Sequence, residues 1–266
     1  MRVYLGLPIA LGLVVLACSS PSSPSTVSAA STSTTTTSTT TTTTSTGSTG
    51  TSGGTTNASL PAIYTKFGSG VKVTFDGTTV TLVSNTTPDH KSPYWGVGNP
   101  MYEAPKAGMQ VNPNLIVAQT LTLRVPANPT IAASASDTPL GPMGMALNGV
   151  PLFNQYAAGR VPLTTEIISF DQYDGHPQQS GEYHYHMEPY WLTTNNGASS
   201  LIGVLVDGFP VYGPKETNGS TPTGLDSCNG HTHATTEVPA GIYHYHITTA
   251  SPYISGCYKG NPGSVG

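Results

Sequence analysis

Charge is scarce in this chain. Lys and Arg number 9 and Asp and Glu 13, so charged residues make up 8% of 266, against about a quarter in an ordinary soluble protein. With a formal net charge of −4 there is no basic surplus to neutralise phosphates, which disfavours non-specific nucleic-acid binding. Helical signals are sparse too. No stretch of about 12 or more residues keeps an apolar 3.6-residue period, and 30 Gly with 23 Pro argue against a helical bundle. The glycines follow no three-residue period, which excludes collagen. No Gly-x-Ser-x-Gly elbow, phosphate loop or dinucleotide fingerprint occurs. Cysteine is limited to three residues, Cys18, Cys228 and Cys257.

What is present begins with a leader. Arg2 precedes the apolar run Val3 to Ala17, which polar Ser19 and Ser20 follow. That length suits a secretory h-region and falls short of the roughly 20 apolar residues of a membrane span. Val15-Leu16-Ala17-Cys18 resembles the lipobox of bacterial lipoproteins, in which the chain is cut before the cysteine and the thiol carries the lipid. Residues 1–18 are therefore read as a lipoprotein signal peptide with lipidation at Cys18, and the membrane as a partner through that anchor. The expected location is the cell envelope, facing the periplasm or exterior. Residues 19–57 lack any charged side chain and are almost entirely Ser, Thr, Gly, Ala and Pro. Such a segment buries too little apolar surface to fold and reads as a disordered tether. An oxidising destination leaves Cys228 and Cys257 as an even pair, expected to form a disulfide.

Residues 58–266 read as one all-β domain, sandwich or barrel-like. Val71 to Phe75 and Thr79 to Val83 alternate around Asp76-Gly77, a hairpin signal. Leu115 to Val125, Ile167 to Phe170, Leu201 to Val206 and Ile242 to Thr248 are further β-like stretches. The strongest signal is an internal duplication with a period of about 60 residues. Gly144 to Phe153 (Gly-Met-Ala-Leu-Asn-Gly-Val-Pro-Leu-Phe) recurs as Gly203 to Tyr212 (Gly-Val-Leu-Val-Asp-Gly-Phe-Pro-Val-Tyr). Asp171 to His176 (Asp-Gln-Tyr-Asp-Gly-His) recurs as Asp226 to His231 (Asp-Ser-Cys-Asn-Gly-His), and Tyr183-His184-Tyr185-His186 as Tyr243-His244-Tyr245-His246. The repeat units span about 144–186 and 203–246 and are expected to pack about a pseudo-twofold axis.

Six histidines fall inside the duplicated motifs: His176, His184, His186, His231, His244 and His246. On a strand, residues i and i+2 share a face, so each His-x-His pair presents two imidazoles together. Each alternating Tyr pair faces the other way and is read as packing. A third histidine in each unit follows a Gly, in what reads as a loop. Imidazole clusters suit copper or zinc, whereas calcium and magnesium prefer oxygen. The alternatives at this point are a hydrogen-bonded histidine cluster and metal-free acid–base chemistry. Asp171 and Asp226 either accept hydrogen bonds from ligating imidazoles, as outer-shell carboxylates do, or cap the turns before Gly175 and Gly230. Met143 and Met145 are read as packing rather than as soft ligands. Glu182 and Glu188 have no counterparts in the second unit. Equivalent strands are expected to meet across the axis, bringing His184 and His186 to face His244 and His246 around one ion or cleft. The rival arrangement keeps two separate sites. Free imidazoles titrate near 6.5, so binding is expected to weaken as pH falls through about 6–7.

The two Tyr-His-Tyr-His motifs, with Asp207 to Pro214 (Asp-Gly-Phe-Pro-Val-Tyr-Gly-Pro), Leu225 to Gly230 and Gly256 to Gly260, resemble the YHYH domain family over roughly residues 140–260. That family comprises exported proteins, many of them lipoproteins, without an assigned reaction. The resemblance implies that the histidine motifs and the Cys228–Cys257 pairing are family features. One departure is that Tyr173 stands in the first unit where Cys228 stands in the second. The functional expectation is an exported, lipid-anchored protein that binds copper or zinc for storage, delivery or sensing. The alternatives are a metal-dependent extracellular hydrolase or oxidoreductase, or a surface interaction module with structural histidines.

Overall fold

The alternating run Val71–Phe75 (β1) turns at Asp76 and returns as Thr79–Ser84 (β2) in the computed structural model, which describes residues 58–266. One Asp76 carboxylate oxygen accepts the amides of Thr78 and Thr79 at 2.9 and 2.7 Å, and Gly77 supplies the positive φ of 101°. Leu121–Pro126 (β3) pairs with β2. Burial alternates along both strands, placing Val80, Leu82, Leu121, Leu123 and Val125 inward, as a half-buried sheet requires. The leader, the lipobox cysteine and the tether fall outside the described residues.

The remaining strands are Ile131–Asp137 (β4), Gly144–Ala146 (β5), Pro151–Leu152 (β6), Gly175–Pro177 (β7), Tyr183–Tyr185 (β8), Leu201–Leu205 (β9), Pro210–Tyr212 (β10), Gly230–His233 (β11), Ile242–His246 (β12), Cys257–Gly260 (β13) and Ser264–Val265 (β14). One short helix, Tyr190–Asn196 (α1), separates the two repeats. No helix among the described residues is long and apolar enough to cross a membrane.

Three sheets result, in the orders β1-β2-β3-β14, β11-β12-β10-β9-β5-β6-β8-β7 and β13-β4. One hydrophobic core joins the first two, drawing Val80, Leu123 and Val125 from one and Met145, Val204 and Val211 from the other. The all-β expectation holds.

The eight-stranded sheet is the duplication made visible. In the first copy β5 pairs antiparallel with β6, β6 parallel with β8, and β8 antiparallel with β7. In the second copy β9, β10, β12 and β11 repeat those three relationships in the same senses. The halves join where β5 meets β9, antiparallel. The tight hairpin of each first motif turns on Gly149 and Gly208, with φ of 86° and 85°, the left-handed conformation that glycine adopts without strain.

Two sequence expectations fail locally. Ile167–Ser169 is a 3₁₀ turn, not a strand. The stretch from Leu115 to Thr120 is not strand either. The amides of Ile116, Val117 and Gln119 reach carbonyls on three different segments, at Tyr94, Gly181 and Asn85. No single neighbour runs alongside it, so its β-branched composition finds no ladder to join.

Candidate metal centres

The strands carrying the histidines lie on the flanks of the eight-stranded sheet. Four strands, β10, β9, β5 and β6, separate β12 from β8. The expectation that His184 and His186 would face His244 and His246 is therefore corrected. The copies meet through their first motifs, and each keeps its own cluster. His176 and His231 are likewise not on loops. They sit on β7 and β11, directly opposite His184 and His244 in register.

In the first cluster, His184 Nε2 lies 3.1 Å from His176 Nε2 and 3.0 Å from His186 Nε2, and all three rings are buried. The other ring nitrogens fix the tautomers. His184 Nδ1 donates to the Glu182 carbonyl at 3.1 Å, and His186 Nδ1 to the Asn154 carbonyl at 2.6 Å. Ser169 Oγ spends its hydrogen on the Glu166 carbonyl and accepts from His176 Nδ1 at 2.9 Å. A carbonyl only accepts, and a hydroxyl whose hydrogen is committed can only accept from a ring nitrogen. All three Nδ1 atoms thus carry hydrogen, and three Nε2 lone pairs converge. Aromatic walls hold the rings: Phe153 stacks on His184 with centroids 4.0 Å apart, and Phe170 stacks on His186 at 5.7 Å.

The second cluster repeats this with additions. His244 Nδ1 donates to the Ile242 carbonyl at 2.9 Å and His246 Nδ1 to the Gly213 carbonyl at 2.8 Å. These carbonyls belong to the residues aligned with Glu182 and Asn154. Phe153 has its counterpart in Tyr212, whose ring lies edge-on to His244 at 5.2 Å. His231 Nδ1 and His233 Nδ1 donate to the carbonyls of Thr223 and Ala234. Their Nε2 atoms stand 2.9 Å apart. Glu216 closes the cluster: Oε1 lies 3.3 Å from His231 Nε2 and 3.5 Å from His246 Nε2, and Oε2 lies 3.2 Å from His233 Nε2. Among the described residues, the buried Nε2 atoms of His244 and His246 have no hydrogen-bond partner.

Burial pushes His176 down to about 3, His186 to about 4 and His244 to about 3, and it lowers His184 and His246 as well. Protons therefore do not resolve the facing lone pairs of His176, His184 and His186 near neutrality. Within each cluster the ligand atoms lie within 4.8 Å of one another. Imidazoles arranged in this way have the chemistry of ligands for a transition-metal ion.

Asp171 and Asp226 do not touch an imidazole, which corrects the outer-shell reading. Asp171 Oδ1 accepts the amides of Tyr173 and Gly175, and Oδ2 accepts the hydroxyls of Ser92 and Tyr183. Asp226 Oδ1 accepts the amides of Cys228 and Gly230 and the Tyr243 hydroxyl, while Oδ2 pairs with Lys259 at 2.7 Å. Each carboxylate caps the turn before a histidine strand and anchors the tyrosine opposite. A Cβ on Gly175 or Gly230 would collide with the Tyr183 or Tyr243 hydroxyl, which explains the glycine before each histidine. Backbone carbonyls and the Ser169 hydroxyl accept from the ring nitrogens instead. Met143 and Met145 lie fully buried in the core. Cys228 and Cys257 form the expected disulfide, across a sequence separation of 29.

Residues 122–224 and 216–260 match the family described as YHYH protein, one Tyr-His-Tyr-His motif falling in each segment. The chain belongs to the YHYH family. No curated protein and no solved structure matches it.

Three participants escaped the sequence reading. His233 was visible only as an extra histidine, and Glu216 and Glu166 as isolated acids. Glu216 aligns with Ala157 and so breaks the repeat.

Proposed function

We propose that this YHYH protein binds a transition metal, copper or zinc, at two separate centres in the cell envelope, for storage, delivery or sensing. The first centre uses His176, His184 and His186; the second uses His231, His233, His244 and His246 with Glu216. The observation that carries the reading is the uniform polarity of the rings. Seven Nδ1–H groups are committed outward to fixed acceptors and seven Nε2 atoms point inward. Packing alone gives no reason for the five buried rings, His176, His184, His186, His244 and His246, to choose the same tautomer and crowd their Nε2 lone pairs together, while His231 and the exposed His233 set their Nε2 atoms beside Glu216. A cation at each focus turns that repulsion into coordination. Both cysteines of the domain are consumed by the disulfide, so nitrogen and oxygen donors remain, which suits divalent copper or zinc. Lipid on Cys18 would hold the domain at the membrane, a reading supported by the lipobox-like segment.

The test is the metal content of untagged protein purified from its native envelope. Two ions per chain are expected, falling to one in a His184→Ala, His186→Ala variant and to one in a His244→Ala, His246→Ala variant. No bound transition metal under any condition ends the proposal. The anchor is tested by Cys18→Ser, which should move the protein out of the membrane fraction.

A further inference from the structure

The two centres share an origin but differ in surroundings. In the second, four imidazoles and the Glu216 carboxylate surround the focus, and the adjoining void, bounded by Tyr212, Glu216, His233, His244 and His246, measures only ≈ 10 Å³, room for about one water. In the first, the cluster is three imidazoles alone. A cavity of ≈ 300 Å³ reaches His184 and His186, and another of ≈ 580 Å³ reaches His176 and Ser169. Glu166, Gln178, Ala157 and Ala158 belong to both walls, so the two cavities adjoin and between them reach all three rings. A metal held by three protein ligands with a position left free is the arrangement of reactive centres, whereas a completed ligand set marks closed ones.

Glu166 stands in the wall that the two cavities share. Its Oε1 lies 4.0 Å from His176 Nε2, and its buried Oε2 has no hydrogen-bond partner among the described residues. An acceptor lacking a donor thus lies beside three lone pairs lacking a cation. A molecule that gives a lone pair to the ion and a hydrogen to Glu166 satisfies both. The charge of that molecule is constrained as well. No Lys or Arg lines either cavity, and Glu166 disfavours an anion beside it. The walls contributed by Phe153, Tyr156 and Leu140 are largely apolar. A volume of some 300 Å³ suits a small organic molecule.

We propose that the three-histidine centre is the substrate-binding member of the pair. It takes a small uncharged molecule through a nitrogen or oxygen lone pair, with Glu166 accepting that molecule's N–H or O–H. The four-histidine centre is coordinatively complete and takes none. This rests on the metal reading above, and the experiment separates the two.

Untagged full-length protein, loaded with copper(II) and dialysed, is titrated with imidazole as the probe and followed by electron paramagnetic resonance. Two copper ions are expected, with one signal shifting on binding a single imidazole and the other unmoved. The response should persist in the His244→Ala, His246→Ala variant and vanish in the His184→Ala, His186→Ala variant. Glu166→Gln, with its copper content unchanged, should bind imidazole roughly tenfold more weakly, since a neutral amide oxygen replaces the charged acceptor. Two bound ions whose spectra ignore imidazole, or a response that survives loss of His184 and His186, overturns the inference and leaves the metal reading standing. An unchanged imidazole affinity in Glu166→Gln overturns the role of that carboxylate. Absence of bound copper overturns the metal reading, and this inference with it.

Discussion

Met145 on β5 pairs with Val204 on β9, its own counterpart in the repeat. The pseudo-twofold axis therefore passes between these two residues. The flanking pairs obey the same symmetry: Gly144 faces Leu205, and Ala146 faces Gly203. Placing the axis here sends the histidine strands outward to opposite flanks of the sheet, which is why one duplication yields two centres rather than a shared one.

The closeness of the strands at the axis depends on glycine. A Cβ on Gly203 would overlap the Met145 carbonyl and the Ala146 Cα, and one on Gly144 would overlap the Val204 carbonyl. These obstacles are backbone atoms, which cannot rotate away. Gly203→Ala should cost roughly 2–4 kcal/mol through overpacking. Gly70→Ala, where nothing lies within 4 Å, should stay within about 0.5 kcal/mol of the parent. Urea unfolding of both variants decides the matter, and equal stabilities would show that the two halves do not depend on this contact.

The duplication was legible because three motifs recur in one order, and the strand character of the Tyr-His-Tyr-His segments followed from period-two alternation. The Asp76-Gly77 hairpin was equally plain. The location of the axis was not legible, since Gly144 and Gly203 look like incidental small residues until a neighbouring backbone is present to crowd them. The direction of the Asp171 and Asp226 carboxylates was also hidden. A turn cap and a histidine partner both call for an acid at that spacing, and only the tyrosine hydroxyls opposite decide between them. Glu216 enters its centre from outside the duplicated motifs and leaves no periodic trace.

The disulfide lies beside one histidine cluster and not the other. Cys228 lies in the turn from Asp226 to Gly230 that launches β11, and Cys257 opens β13, whose Lys259 pairs with Asp226. The first copy has Tyr173 at the equivalent place, packed against Trp191 with centroids 5.3 Å apart. A Cys228→Ala, Cys257→Ala variant should lose about 3–4 kcal/mol of stability. It should also hold metal more weakly at the His231, His233, His244, His246 centre while the His176, His184, His186 centre is unaffected. Unchanged affinity at both centres, measured by competition with a chelator, would show the bridge to be remote from metal binding.

The alternating tyrosines serve the scaffold, on the face opposite the histidines. Tyr183 Oη donates to Asp171 Oδ2 at 2.8 Å, on the face opposite His184 and His186. Tyr183→Phe removes a buried hydrogen bond to a carboxylate and should cost about 1–3 kcal/mol. Metal stoichiometry should remain that of the parent. Loss of an ion without loss of stability would place this tyrosine in the centre itself.

Acid lability offers a test of imidazole burial in the metal-free protein. His186 is held down to about 4 by burial, against an ordinary value of 6.5. Between those values the unfolded chain carries a proton on this ring that the folded chain lacks. Stability therefore rises with pH across the window, at about 1.4 kcal/mol per pH unit for this group. The contribution is complete above about pH 6.5 and is lost as pH falls towards 4. Asp174, pushed up to about 6 by burial, acts in the opposite sense, but it is common to the parent and a His186→Gln variant and cancels in their difference. His186 also helps to hold His176 and His184 down, so its removal flattens the profile further in the same direction. Between pH 6.5 and 4 the parent should lose roughly 2–3 kcal/mol more than His186→Gln. Denaturant unfolding at three pH values across this range measures the difference, and parallel profiles would show that the ring is not buried as a neutral group. The same depression shifts metal binding. Protons compete for His176 and His186 only near pH 3 to 4, and His184 is lowered too, so a metal bound at the first centre should be retained at pH 5, below the window of 6–7 that free imidazoles would set.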